Sequence, residues 1–194
     1  MSLLRAFIAA ELPPTLQDSI HNATADLRET LDNGLIRWVP AHNVHLTLKF
    51  LGDVSASSLD LIKQMMVTEA SQFPAFDMQV EGLGCYPNIR RPRVLWVGLK
   101  APAELASLQR GIETAAARLG YESEEREFSP HLTIGRVRQN ASSGDVHKIR
   151  TGMESCRVGS LGTAHDDAVH LFKSELRPEG SIYSKLFSAP LQKN

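Results

Sequence analysis

Cysteine is scarce: Cys85 and Cys156 are the two in 194 residues. A secreted domain stapled by disulfides carries a denser set, so two ordinary thiols in a cytoplasmic setting are expected. Long hydrophobic runs are missing as well. The apolar stretch Ala6 to Ala10 behind Arg5 is cut at once by Glu11, too short for a signal-peptide core. Nothing approaches the ~20 apolar residues of a spanning helix, so no membrane partner is expected. There is no excess of one charge: the formal net charge is −1, which argues against a broad basic face for nucleic acid and leaves room only for a local basic pocket. No phosphate-binding glycine loop is present, neither GxxxxGKS/T nor GxGxxG.

What is there is an ordinary globular composition, 42% hydrophobic and 22% charged, long enough for one domain spanning residues 1–194 with a substantial core. Apolar, compact Leu4 to Leu12 reads as a buried strand. Leu16, Ile20, Ala23, Leu27 and Leu31 form one stripe of an amphipathic helix that Asn33-Gly34 would end. Strands are expected over Ile36 to Val39, Val44 to Leu51, Phe76 to Leu83, Val94 to Leu99 and His131 to Val137. Helices are expected over Ser57 to Ala70 and Pro102 to Leu119. Gly84 to Pro92 reads as turns and Gln139 to Met153 as a polar insert with helical character. Strands at Ser155 to Leu161, Val169 to Leu176 and Ser181 to Phe187 would finish the chain. Strands next to hairpin-length turns, mixed with helices, favour α+β with antiparallel sheet.

One motif recurs. His45-Leu46-Thr47-Leu48 returns as His131-Leu132-Thr133-Ile134, nearly half a chain later, which suggests two similar lobes facing one another. Side chains alternate along a strand, so each copy presents an imidazole and a hydroxyl to one side and two apolar anchors to the other. With an ordinary pKa near ~6.5, one imidazole can serve as base while the other serves as acid. The hydroxyls can donate to phosphate oxygens as charge develops. No metal or cofactor is required. A lone H-x-T is a common accident, and spacing alone leaves catalysis and a structural role about evenly matched.

The wider sequence resembles the two-histidine (2H) phosphoesterase superfamily, and within it the bacterial and archaeal RNA 2′,3′-cyclic phosphodiesterases, also called 2′-5′ RNA ligases. The resemblance runs from Arg5-Ala6-Phe7-Ile8-Ala9 and Leu12-Pro13, through Arg37-Trp38-Val39-Pro40, Asn43 and His45 to Gly52, to Gly82-Leu83-Gly84 and Arg91 to Gly98. It continues through Ser129 to Arg136, Ser174-Glu175-Leu176, Gly180 and Tyr183. It implies a bilobal α+β fold with pseudo-twofold symmetry around a central cleft. His45 would be the proton donor to the leaving 3′-oxygen and His131 the acceptor from the attacking water, with Thr47 and Thr133 holding the phosphate. Substrates would be RNA ends or nucleotides bearing a 2′,3′-cyclic phosphate, opened to a 2′-phosphate, by a protein expected to be a monomer. With a 5′-hydroxyl in place of water, the same groups would ligate without ATP. Gly135 stands where the family commonly has alanine, a change not expected to disturb the site.

Two other classes stay open: a non-catalytic binder of RNA ends, and a sibling enzyme acting on 2′-5′ linkages or small cyclic nucleotides. Intact motifs in both halves favour an enzyme, because a binder needs no paired acid and base. Lys49 shares strand parity with His45 and is placed facing the cleft; Arg136 has the opposite parity to His131 and is placed at the rim unless the strand bulges. Phe50 and Trp38 are read as core residues. Arg90, Arg91 and Arg93 beside Tyr86 read as a solvated loop in preference to an RNA contact. His42 with His45, and His165-Asp166-Asp167 with His170, lack metal-site spacing on a rigid element.

Overall fold

The computed structural model describes residues 3–31, 34–177 and 180–192; the Asn33 turn signal lies outside them. The elements, in order, are β1 (Leu3–Glu11), α1 (Pro14–Ala23), α2 (Ala25–Thr30), β2 (Ile36–Trp38), β3 (His45–Ser55), α3 (Leu59–Ala70), β4 (Phe76–Tyr86), β5 (Val94–Lys100), α4 (Ala103–Arg118), β6 (His131–Val137), α5 (Ser143–Ser155), β7 (Ser160–Asp166), β8 (Ala168–Arg177) and β9 (Gly180–Pro190). The sheet order is β7-β4-β5-β6-β3-β1-β8-β9, with β2 beside β6, and all pairs of named strands are antiparallel. The α+β class expected from the pattern holds.

The sheet divides at its centre. β3 and β6 are joined through a single register pair, Leu46 with Leu132. On one side lie β3-β1-β8-β9 and on the other β6-β5-β4-β7, two four-strand arrays in the same relation to their motif strand. The lobes are not the two halves of the sequence: β8 and β9, from the end of the chain, return to pair with β1. One sheet face carries the main core, where Ile8, Leu46, Leu132, Ile134, Leu95 and Val97 pack beneath helices that supply Ile20, Ile62, Met66, Leu108 and Ile112. The apolar members of both motifs are anchors in that core, as alternation requires.

Three sequence expectations are corrected. The single helix over Leu16 to Leu31 is two, because buried Thr24 turns its hydroxyl back to donate to the Ile20 carbonyl at 2.8 Å and leaves helical geometry at φ −109°, ψ 12°. The strand expected at Ser155 to Leu161 is shifted: Ser142 and Asp145 form a capping box that starts α5, the helix runs to Ser155, and β7 follows from Ser160. β7 therefore takes in His165 and Asp166, which lie outside every expected strand, because pairing with β4 (Met78 with Ala164, Phe76 with Asp166) makes a strand of a segment with little intrinsic pattern. The segment read as turns from Gly84 stays in β4 as far as Tyr86.

Candidate active site at the sheet seam

The four motif residues meet at the seam. Antiparallel pairing about Leu46 and Leu132 sets His45 beside Thr133 and Thr47 beside His131, all on the face opposite the main core. Both imidazoles are tied in the same way. His45 Nδ1 donates to the Asn43 carbonyl at 2.7 Å and His131 Nδ1 to the Ser129 carbonyl at 2.8 Å. A carbonyl only accepts, so each Nδ1 carries the hydrogen and each Nε2 is left to take or give a proton. The tethers are themselves fixed. Buried Asn43 donates its Nδ2 to the Ser181 carbonyl of β9 at 2.8 Å. Ser129 Oγ meets Tyr86 Oη of β4 at 2.7 Å.

Aromatic rings wall the histidines. Phe7 stacks on His45 with ring centroids 4.8 Å apart, Tyr183 meets it edge-on at 5.3 Å, and Phe172 stacks on Phe7 at 5.3 Å. On the other lobe Tyr86 meets His131 edge-on at 4.9 Å, with Trp96 behind it at 5.2 Å from Tyr86. Burial among these rings pushes both imidazole pKa values below the ordinary histidine value. The carbonyl tethers oppose that shift, and Arg136 reinforces it at both. Glu11 opposes it at His45 alone; Glu11 is the register partner of His45 across β1 and β3.

Arg136 and Phe50 owe their places to two bulges. In β3, Ile8 pairs with Lys49 and Ala9 with Thr47, so Leu48 is an extra residue. In β6, Leu95 pairs with Gly135 and Trp96 with Thr133, so Ile134 is extra at the equivalent point. Each bulge reverses the alternation beyond the threonine. Lys49, expected in the cleft, is turned to the helix side, where it is 4% exposed, pairs with Glu113 of α4 and donates to the Glu122 carbonyl. Phe50, expected in the core, is 59% exposed on the cleft face opposite Phe7. Arg136, placed at the rim, faces the cleft close enough to act on both histidines. Gly135 was a legible sign of the second bulge, since a glycine inside a strand often marks one. Its missing Cβ also matters: one built there would lie 2.7 Å from Ile36 Cγ2.

The remaining candidates lie apart. Arg93 donates to the Gln139 carbonyl at 3.3 Å, and Asn88 Oδ1 accepts the backbone N–H groups of Arg90 and Arg91. His165 pairs with Asp77 at 2.7 Å, whereas His170 Nδ1 and Ser188 Oγ are 2.9 Å apart and His170 Nε2 lies 3.5 Å from Glu11. Trp38 sits half-buried against the core beneath Arg28, whose guanidinium is 4.7 Å from its ring centroid. Cys85 and Cys156 are free and half-buried. Among the described residues no helix is long and apolar enough to cross a membrane. No group of three or more His, Cys, Asp or Glu among them could hold a metal ion.

The model of the LigT like phosphoesterase family matches this chain twice in tandem, over residues 11–96 and 97–183, one motif in each copy. The chain belongs to that family. Among similar LigT-like proteins, an RNA 2′,3′-cyclic phosphodiesterase of Methanothermobacter thermautotrophicus is 31% identical over 94% of this chain and 96% of its own. One from Archaeoglobus fulgidus is 30% identical over 94% and 98%. Solved structures share the fold: a protein of Thermus thermophilus, TT0787, superposes with a TM-score of 0.80 at 24% identity, covering 98% of this chain and 99% of that one. Escherichia coli LigT complexed with 3′-AMP gives 0.76 at 24%, with the same coverage. Each LigT-like copy contributes one histidine strand to the seam, but the copies divide the sequence and not the sheet, since each four-strand array draws strands from both.

Proposed function

We propose that this LigT-like protein is an RNA 2′,3′-cyclic phosphodiesterase that opens terminal cyclic phosphates to 2′-phosphomonoesters by acid–base catalysis between His45 and His131. The observation that carries the reading is the matched pair of tethers, which leaves two Nε2 atoms as the groups free to exchange protons on one face of the seam. His131 Nε2 removes a proton from water as the oxygen attacks phosphorus. The bond from phosphorus to the 3′-oxygen breaks, and His45 Nε2 delivers the proton that the leaving oxygen needs. The assignment of His45 as donor follows the family resemblance, and Glu11, whose carboxylate favours the charged form of His45 against the larger effect of burial, supports it. Burial favours neutral imidazoles in the free protein, so the anionic cyclic phosphate itself supplies the charge that raises the donor's proton affinity. Thr47 and Thr133 donate to the non-bridging oxygens, and Arg136 balances the dianion that forms. Recognition of RNA ends or nucleotides follows from the same phosphate site.

A phosphorus NMR time course on a 2′,3′-cyclic nucleotide with EDTA present tests this. Wild type should give the 2′-phosphate alone, and His45→Ala and His131→Ala should each lose at least about 10²-fold in rate. The 3′-phosphate as product, or activity that EDTA abolishes, would refute the mechanism.

A further inference from the structure

Two arginines stand side by side where the seam runs out. β2 is three residues long and pairs with β6. Its Ile36 and Trp38 face the core side, where a Cβ on Gly135 would lie 2.7 Å from Ile36 Cγ2 and 2.9 Å from Trp38 Cε3. Arg37, between them, is turned by alternation to the cleft face and is exposed. Its register partner is Arg136, exposed on the same face. Residues directly opposite in an antiparallel pair have Cβ atoms about 4.5–5.5 Å apart, and like charges there are destabilising. No ion pair among the described residues includes either guanidinium.

Arg138 extends the row. It follows β6, donates its backbone N–H to the Leu35 carbonyl at 3.0 Å, and is exposed beside Gly34. Beyond Thr133 this edge therefore offers Arg136, Arg37 and Arg138, three cations leading away from the histidines in a chain of formal net charge −1. An exposed arginine is ordinary; a register pair of them without a counterion, on a strand whose other side chains are turned to the core, calls for an anion that neutralises both. The reacting phosphate does not account for the whole row, since in the proposed reaction it already has two threonine hydroxyls and Arg136. An RNA strand that ends in a 2′,3′-cyclic phosphate carries its other phosphates on the 5′ side. Two residues of extended strand advance about 7 Å, a step that suits successive phosphates of an unstacked single strand.

We infer that Arg37 holds the phosphate on the 5′ side of the terminal nucleotide, so that the site favours the end of an RNA chain over a free cyclic nucleotide. The inference rests on the proposed phosphate site, and it makes Arg37 a specificity-determining residue with no part in proton transfer.

Calorimetric affinities for adenosine 2′-monophosphate and adenosine 2′,5′-bisphosphate test it without needing turnover; the second ligand carries a phosphate where the chain would continue. Wild type should bind the bisphosphate about tenfold or more tighter in low salt, and the preference should shrink as salt rises. Arg37→Gln should bring the bisphosphate affinity down close to that of the monophosphate. Arg37→Lys should keep part of the preference, because a point charge also binds phosphate. Lys63→Gln, which removes a cation paired with Asp60 on α3, should change neither affinity. In thermal melts Arg37→Gln should hold its Tm or gain, because one of two opposed like charges is gone; a destabilised variant would mark Arg37 as structural. A wild type indifferent to the 5′-phosphate, or an Arg37→Gln protein that keeps the full preference, overturns the assignment. So do equal losses on both ligands, which would put Arg37 on the reacting phosphate. Absence of cyclic phosphate hydrolysis by wild type would count against the reaction, while the affinities still decide the role of Arg37.

Discussion

Replacing Lys49 by methionine should be among the most damaging single changes outside the cleft. The ammonium is almost wholly buried, faces Glu113 of α4, and donates to the Glu122 carbonyl; the same Glu113 oxygen accepts the Glu124 backbone N–H at 3.0 Å. One side chain from the first motif strand therefore pins the segment that leads into His131. Methionine fills similar volume, so little of the loss is packing. What remains is a carboxylate buried without its cation beside an unpaired carbonyl, a situation that costs about 3–5 kcal/mol. For a chain of this length that is a fall in Tm of about 6–20 °C. Adding Glu113→Gln removes the stranded charge, and the double variant should regain half or more of the loss, which a double-mutant cycle in urea would measure. Turnover by Lys49→Met, assayed well below its Tm, should fall mainly in kcat, because the path into His131 is loosened while phosphate contacts stay. A cost below about 1 kcal/mol, or a double variant no more stable than the single, would refute the claim that this pair braces the bulge and the approach to His131.

The remaining expectations concern charge and pH. Because burial lowers both imidazoles, the bell-shaped profile of kcat/KM should be centred below pH ~6.5, and Glu11→Gln should move its alkaline limb to lower pH by weakening His45 as an acid; a profile centred above 7 would contradict this. Arg136→Gln should raise KM about ten- to a hundredfold through loss of a charged contact to phosphate, and should shift the profile to higher pH as both histidines are relieved of a neighbouring cation; an unchanged KM would remove Arg136 from the site. Asp166 is 5% exposed, has an unpartnered Oδ2, and is pushed up to about 7, chiefly by burial. Below pH ~3.8 both folded and unfolded chains hold its proton; between there and about 7 the unfolded chain ionises first, so stability falls as pH rises through that window. Asp166→Asn should therefore raise Tm more at pH 8, where up to about 4 kcal/mol is at stake, than at pH 5, and an equal gain at both would refute the burial argument.

Much of the frame was legible because it is local or periodic. β1, β5, β6 and α4 follow from apolar runs and a 3.6-residue stripe, and the repeated H-L-T with apolar neighbours places two imidazoles, two hydroxyls and their core anchors by alternation alone. β7 was displaced in the reading because its residues carry little pattern and become a strand only against β4. The break at Thr24 was missed because a threonine hydroxyl that back-bonds looks, in sequence, like any other small polar residue in a helix.

The sequence by itself determined what the seam is made of: which side chains recur, that each copy pairs an imidazole with a hydroxyl, and that their neighbours belong in a core. Tertiary structure decided everything beyond the threonines. Alternation counts residues, and a bulge adds one that does not count, so Lys49, Phe50 and Arg136 each face opposite to their parity. Whether a strand bulges depends on what braces it, and here the braces on β3 come from α4, some sixty residues further along the chain. Which nitrogen of each histidine is free, and which histidine has a carboxylate beside it, likewise depend on strands and turns that meet only when the sheet has closed around the seam.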